Sequence, residues 1–363
     1  MKVLVISNDS SGLYMFRHEV MDEIVKIAEL YICVPEGRFI DYWKSIGCSI
    51  IPYSFDRHGK NPLRELQQIS FYKKTIDDIK PDICCTYTIK PNIYGGIACA
   101  SRGVPYIANI TGLGSAVECE GVFQKVLLRL YSYGLRKATK VFFQNEDNMN
   151  YMLNHKVVKG AYDLLPGSGV NLTQYQPGAY PKDGVIRFGF VSRIMKEKGI
   201  DQYLTAAKEI KKRYPYTEFH VFGSYEEDYE EKITDSQNSG IIIYHGVVSN
   251  MEKVYNMLSC VVHPTYYAEG MSNVLLESCA CGRPIITTDR AGCREIVDDG
   301  INGFVVKQKD SNDLIKKIER FLSISWEEQR NFGINGRKKV EKEFDRRIII
   351  QKYMNEIRKV ANS

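Results

Sequence analysis

Short apolar runs alternate with stretches of helical period along almost the whole chain. Val3–Ser7 is the first such run, closed by the polar, glycine-bearing loop Asn8–Gly12. A helical pattern spans about Phe16 to Ala28, followed by an apolar run at Tyr31–Pro35. A second helical pattern ends before Gly47, and Ile50–Tyr53 is the next run. Leu63–Ile79 predicts a helix that stops at Lys80-Pro81. Ile83–Tyr87 predicts a strand, Tyr94–Arg102 a helix ending at Gly103, and Tyr106–Ile110 a strand. A helix from about Val122 to Thr139 and a strand at Lys140–Gln144 follow. Such alternation predicts an α/β fold with a doubly wound parallel sheet.

The segment Leu165-Pro-Gly-Ser-Gly-Val-Asn171 closes this half. The glycine- and proline-rich stretch from Gln176 to Gly184 reads as a linker. The pattern then restarts, with strands at Ile186–Ser192, Glu218–Gly223, Ile241–His245, Ser259–His263 and Pro284–Thr288. Helices are predicted at Gly199–Tyr214, Asn273–Cys281 and Asp313–Leu322. Two Rossmann-like domains facing a cleft are expected, 1–170 and 171–344, with a last helix in 345–363 packing back on the first. In such sheets ligands bind beyond the carboxyl ends of the strands, so chemistry belongs in the loops after strands.

Length agrees with two domains, since 363 residues exceed one ordinary core. Charge changes the picture little. Lys and Arg total 49 against 44 Asp and Glu, a formal +5 without the concentrated basic stripe of a nucleic-acid binder. No nucleic-acid partner is expected. The ten cysteines are scattered, without a Cys-x2-Cys pair, which predicts buried free thiols in a reducing cytosol. The first apolar run is too short for a signal peptide, and no run approaches the roughly 18 residues of a membrane span. A cytoplasmic protein is expected, with any membrane contact peripheral. The six histidines do not cluster and paired Asp motifs are absent, so neither a metal nor another cofactor is expected.

The most informative stretch is Ala268-Glu-Gly-Met-Ser-Asn-Val-Leu-Leu-Glu277. Glu269 falls on the loop after a strand, and Glu277 inside the helix that follows. The pair Ser272-Asn273 is an N-cap candidate. A helix N-terminus behind a glycine loop binds anions. A carboxylate before it can meet sugar hydroxyls, and one two turns on can accept from both hydroxyls of a ribose diol. Arg193 and Lys198 lie in another strand-to-helix loop, where two cations suit a diphosphate leaving group. The loops Asp9-Ser-Ser-Gly12 and Thr111-Gly-Leu-Gly-Ser115 follow strands of the first domain. The second lacks the third glycine and the acidic residue of a dinucleotide fingerprint.

The Val122–Lys140 stretch is amphipathic. At about 100° per residue, Lys125, Arg129, Arg136 and Lys140 fall in one sector of roughly 60°. Phe123, Val126, Leu127, Leu130 and Gly134 point the other way. The basic sector is either a solvated face or a face for anionic lipid headgroups.

These motifs together resemble the large retaining glycosyltransferase family four, with its two-domain GT-B fold. The resemblance rests on the Glu-x7-Glu spacing of 269 and 277 and on Ser192-Arg-Ile-Met-Lys-Glu-Lys-Gly199. Ala280-Cys-Gly-Arg-Pro-Ile-Ile-Thr-Thr-Asp289, Gly292-Cys-Arg-Glu-Ile-Val297 and Asp299-Gly-Ile-Asn-Gly-Phe304 extend it. It implies that Arg193 and Lys198 grip the donor diphosphate, Glu269 lies by the transferred sugar and Glu277 holds the ribose. It further implies main-chain contacts from Gly270, Met271, Ser272 and Asn273. Val247 and Val248 would flank the base, and Gly12 would lie against the diphosphate. Catalysis in the family is metal-independent and retains anomeric configuration.

Thr88-Ile-Lys-Pro-Asn-Ile-Tyr-Gly-Gly-Ile97 and Ile107-Ala-Asn-Ile-Thr-Gly-Leu-Gly-Ser115 resemble a bacterial subgroup. It includes N-acetylgalactosaminyl- and galactosyltransferases that extend polyprenyl-diphosphate-linked sugars for glycans, capsules or O-antigens. The implied donor is a UDP-sugar and the implied acceptor a lipid-linked saccharide at the inner membrane surface. Lys90, Asn92, Thr111 and Gly112 would lie on the acceptor side, and the basic helix would dock on the membrane. The histidine that many members carry near the sugar is absent from Thr111–Ser115. A nucleotide-sugar epimerase of the same fold and a non-catalytic assembly subunit are the competing readings.

Overall fold

The computed structural model describes residues 1–54, 62–114, 121–268 and 270–361. They form two compact units, one of Met1–Ser168 with Arg347–Ser363 and the other of Gly169–Arg346.

The strands of the first unit are β1 (Lys2–Ser7), β2 (Glu29–Pro35), β3 (Ser49–Tyr53), β4 (Ile83–Tyr87), β5 (Tyr106–Ile110), β6 (Lys140–Phe143) and β7 (Tyr162–Leu164). Among the described residues they make one sheet in the order β3-β2-β1-β4-β5-β6-β7, parallel throughout. Its central strands β4 and β5 are buried along their whole length. Being covered on both faces, they read as continuous apolar runs, which is why the sequence places them without ambiguity. The last helix, Arg346–Ala361, sends Ile349, Tyr353, Met354 and Ile357 into this unit's core. Each such burial contributes about 2 kcal/mol.

The second unit has β8 (Ile186–Val191), β9 (Thr217–Phe222), β10 (Ile243–Tyr244), β11 (Cys260–His263), β12 (Ile285–Thr288) and β13 (Gly303–Val306). Their order, β10-β9-β8-β11-β12-β13, repeats that of the first six strands of the other sheet. It too is parallel. In each unit the winding reverses beside the first strand, between β1 and β4 and between β8 and β11. A crevice forms beyond the carboxyl ends at such a point, so the loops after these four strands are the ones positioned for ligand chemistry.

Helix starts follow from short polar side chains that take up a free first-turn amide. Asp9 accepts from the amide of Gly12, Asn145 from Asn148 and Asp310 from Asp313. Ser325 and Glu328 form a reciprocal capping box that opens the helix Trp326–Glu343. The nine described cysteines are buried and form no disulfide. Among the described residues no helix is long and apolar enough to cross a membrane.

Candidate functional site

In the second unit the two loops at the winding reversal are fastened together by their backbones. The amide of Tyr266, after β11, donates to the carbonyl of Glu197, after β8, at 2.9 Å. The hydroxyl of Thr265 reaches the same carbonyl at 3.3 Å. Gly199 makes the approach possible: its φ is +81°, and a Cβ there would come 2.2 Å from the carbonyl oxygen of Pro264. Only glycine fits that backbone without strain.

This fastening puts two cations on one aromatic ring. The Lys198 ammonium lies 4.7 Å from the ring centroid of Tyr267, and the Arg193 guanidinium 5.6 Å from it. Lys198 is buried, at 6% exposure, whereas Arg193 is open to solvent and pairs with Glu226 at 3.0 Å. An exposed pair of this kind is worth about 0–1 kcal/mol, so an anion can displace Glu226 at little cost. Tyr267 is held in turn by Arg290, whose Nε donates to its carbonyl at 3.1 Å. The sequence alone marks neither Tyr267 nor Arg290, because a ring that gathers charges has no spacing signature.

The helix Asn273–Ala280 begins on the same side of the unit. Ser272 occupies its N-cap with extended φ and ψ, but its side chain makes no capping bond. The expected cap is therefore positional only: the amide of Ser272 goes to the carbonyl of Gly292 at 2.8 Å. Gly270, Met271 and Ser272 are buried and Asn273 half-buried. Glu269 lies outside the described residues, as does Ser115.

Glu277 sits one turn into the helix, half-buried. Tyr255 donates to its Oε2 at 2.7 Å. Burial pushes its carboxyl up to about 6, against hydrogen bonds from Tyr255 and Tyr175 and the positive charge of Arg346. Val248 packs against the core beside Tyr255, while Val247 projects outward at 77% exposure.

The first-unit residues lie after β1, β4 and β5. The Gly12 amide is taken by the Asp9 carboxylate at 2.9 Å, and a Cβ at Gly12 would lie 2.7 Å from that side chain. Lys90 pairs with Glu65 at 2.8 Å. Asn92, expected on the acceptor side, is engaged within the fold. It is buried in the π-helical turn Pro91–Gly95, accepting from Thr86 at 2.7 Å and donating to the carbonyl of Asn109 at 2.7 Å. Its amide braces β4 against β5. Thr111 and Gly112 are half-buried beyond β5. A residue the sequence does not single out, Thr88, holds φ at +73° while its hydroxyl donates to Asn8 at 2.6 Å. That bond joins the loops after β1 and β4 at this unit's own winding reversal.

The amphipathic helix runs over Val122–Leu135, so Arg136 closes it and Lys140 does not belong to it. Lys140 opens β6 and lies 3.8 Å from Glu356. A second correction concerns the inward face. Leu127, Leu128, Tyr131, Gly134 and Leu135 are buried, whereas Phe123, Val126 and Leu130, expected inside, are exposed together with Val122 and Tyr133. The helix is apolar around more than half its circumference, so amphipathicity alone does not select which apolar side turns in.

Among the described residues no three His, Cys, Asp or Glu side chains gather as a metal site.

The two parallel units share one strand order, and two cations lie at the winding reversal of the second. A model described as glycosyl transferases group 1 matches residues 176–339, and one described as glycosyl transferase 4-like matches residues 2–145. The capsular polysaccharide biosynthesis glycosyltransferase CapM of Staphylococcus aureus is 33% identical over 368 residues, covering 96% of this chain and 94% of that protein. The chain belongs to this glycosyltransferase family. It is also 24% identical over 376 residues to the N,N'-diacetylbacillosaminyl-diphospho-undecaprenol alpha-1,3-N-acetylgalactosaminyltransferase of Campylobacter jejuni, covering 98% of this chain and 97% of that one. Among solved structures, Anabaena HepE in complex with UDP-glucose superposes with a TM-score of 0.82 at 16% identity, over 99% of this chain and 100% of that one. That likeness shows the fold, GT-B.

Proposed function

We propose that this glycosyltransferase transfers a hexose or N-acetylhexosamine from a UDP-sugar to a polyprenyl-diphosphate-linked saccharide, retaining the anomeric configuration without a metal. The observation that carries the donor half is the convergence of Lys198 and Arg193 on Tyr267 at the β8/β11 reversal. Two cations held there meet the charge that grows on a departing UDP, and charge placed in advance needs no reorganisation as the bond breaks. The exchangeable Arg193–Glu226 pair supports a role for Arg193 in donor entry. Main-chain groups from Gly270 to Asn273 meet sugar and phosphate, Glu269 binds the transferred sugar, and Glu277 accepts from the ribose diol. Val247 and Val248 flank the uracil. The second unit is the donor domain and the first the acceptor domain, where Lys90, Thr111 and Gly112 line the approach.

The full-length similarity to the Campylobacter undecaprenol-linked transferase and to CapM supports a lipid-linked acceptor in glycan or capsule synthesis. The helix Val122–Leu135 supports a peripheral site on the inner membrane face. Its exposed side carries Val122, Phe123, Val126, Leu130 and Tyr133 beside Lys125, Arg129 and Arg136. Apolar side chains flanked by cations suit an interfacial helix on anionic lipid.

The test is a donor screen. The protein is incubated with UDP-GalNAc, UDP-Gal, UDP-GlcNAc or GDP-Man and membrane lipid extract, and released nucleotide and glycolipid mass are followed. One UDP-sugar should give UDP and a lipid product heavier by one sugar residue. Absence of nucleotide release with every donor sinks the proposal.

A further inference from the structure

Glu277 is not a lone carboxylate on its helix. The phenol of Tyr255, from the helix Met251–Met257, donates to its Oε2 at 2.7 Å. The phenol of Tyr175 lies near enough to favour the charged form of the same carboxylate. The two rings meet edge to face, with centroids 6.1 Å apart at 65°. Each tyrosine is also fixed from behind through its main chain. Arg283, 1% exposed, donates from Nε to the carbonyl of Tyr255 at 3.0 Å. Arg337 donates from Nη1 to the carbonyl of Tyr175 at 2.8 Å. It reaches the carbonyl of Ala280, at the end of the helix that carries Glu277, at the same distance. A buried and a half-buried arginine engaged with backbone carbonyls fix the main chain behind both phenols.

We propose that Tyr255 and Tyr175 are positioning residues that hold the Glu277 carboxylate in the orientation that accepts a donor's ribose diol. The proposal rests on the reading of Glu277 as the ribose ligand. An ionised carboxylate offers about four lone-pair directions. The Tyr255 phenol takes one, and the rest leave room for both hydroxyls of a vicinal diol. The phenols also decide whether the acceptor exists at neutral pH. Burial favours the uncharged acid, and the groups that oppose it are the two phenols and the Arg346 guanidinium. Cys281, which caps the same helix, also senses the Glu277 charge. Removing a phenol oxygen removes a bond that favours the charged form, so the carboxyl titrates at higher pH.

The experiment uses the full chain and UDP as probe. UDP affinity is measured by calorimetry from pH 5 to pH 9 for the wild type, Tyr255→Phe, Tyr175→Phe, Glu277→Ala, Glu277→Gln and Tyr255→Phe combined with Glu277→Gln. Phenylalanine keeps the ring packing and deletes only the hydroxyl. Each phenylalanine variant should bind UDP about tenfold more weakly at pH 7. Its midpoint for loss of binding should move above the wild-type midpoint near pH 6, with kcat at saturating donor within about twofold. In the Glu277→Gln background, Tyr255→Phe should have little further effect. An unmoved pH midpoint in both single variants, with Glu277→Ala defective, overturns the positioning role and leaves the ribose reading standing. Unchanged UDP binding by Glu277→Ala overturns both. An undiminished loss from Tyr255→Phe in the Gln background shows that the phenol acts elsewhere and overturns the proposal.

Discussion

The ammonium of Lys198 stands 4.7 Å over the ring of Tyr267, and this contact joins the loop after β8 to the loop after β11. A lysine buried against an aromatic face is attracted to that face by cation–π interaction and is aimed before any ligand arrives. Lys198→Ala should therefore lower kcat by about a hundredfold or more while changing UDP affinity much less. Steady-state kinetics beside calorimetry reads both. Equal small losses in the two quantities would contradict the assignment.

Tyr267→Leu keeps bulk at the same position and removes the ring face. The contact is worth about 1–2 kcal/mol, so kcat/KM should fall roughly tenfold. Arg193 and Lys198 lose their shared platform together, so combining Tyr267→Leu with Lys198→Ala should cost less than the sum of the two.

Glu277 sets a pH dependence of stability as well as of binding. Its carboxyl stands near 6 in the folded chain against 4.5 for the free side chain. Between those values the folded chain holds a proton that the unfolded chain has lost, so stability falls as pH rises through the window. The cost is absent below about pH 4.5 and complete above about pH 6. Glu277→Gln should accordingly raise the melting temperature at pH 8, leave it unchanged at pH 4, and weaken UDP binding at pH 8. Scanning calorimetry at both pH values checks it; a lowered melting temperature at pH 8 would count against it.

Gly199 carries a purely steric prediction. Alanine there meets both a φ of +81° and the Pro264 oxygen at 2.2 Å. Gly199→Ala should destabilise the second unit by about 2–4 kcal/mol. It should also impair donor binding, because the loops bearing Lys198 and Tyr267 must part. Gly184→Ala also has φ +81° but an open environment, so it should cost only about 1 kcal/mol. Denaturant unfolding of the two variants separates strain from collision.

Reversal of Lys125, Arg129 and Arg136 to Glu should abolish sedimentation with anionic vesicles, at roughly 1 kcal/mol for each basic residue. Replacing exposed Phe123, Val126 and Leu130 by Ser should weaken binding to neutral vesicles as well, because these side chains supply the apolar half of the contact. If both sets sediment like the wild type, the helix face is only solvated surface.

By itself the sequence determined the central strands. Ile83–Tyr87 and Tyr106–Ile110 are covered on both faces, and a buried parallel strand must be an unbroken apolar run. It also placed Arg193 and Lys198 in the loop region after β8 and Glu277 in the helix after β11, because strand-to-helix loops and glycine spacing are local features. The helix Trp326–Glu343 escaped the sequence reading. Gly333 and Gly336 interrupt its pattern, and both are there for close packing: a Cβ at Gly333 would sit 2.0 Å from the Gly282 carbonyl. Tertiary structure alone turned Leu128 and Tyr131 inward while leaving Phe123 and Leu130 outside, since period fixes an apolar arc but not what covers it. It alone sealed Asn92 between β4 and β5, and it alone brought Tyr267 to Lys198 and Tyr255 to Glu277. Those partners lie far apart along the chain or carry no spacing of their own, and only the parallel crossovers of the sheet bring them within a bond's reach.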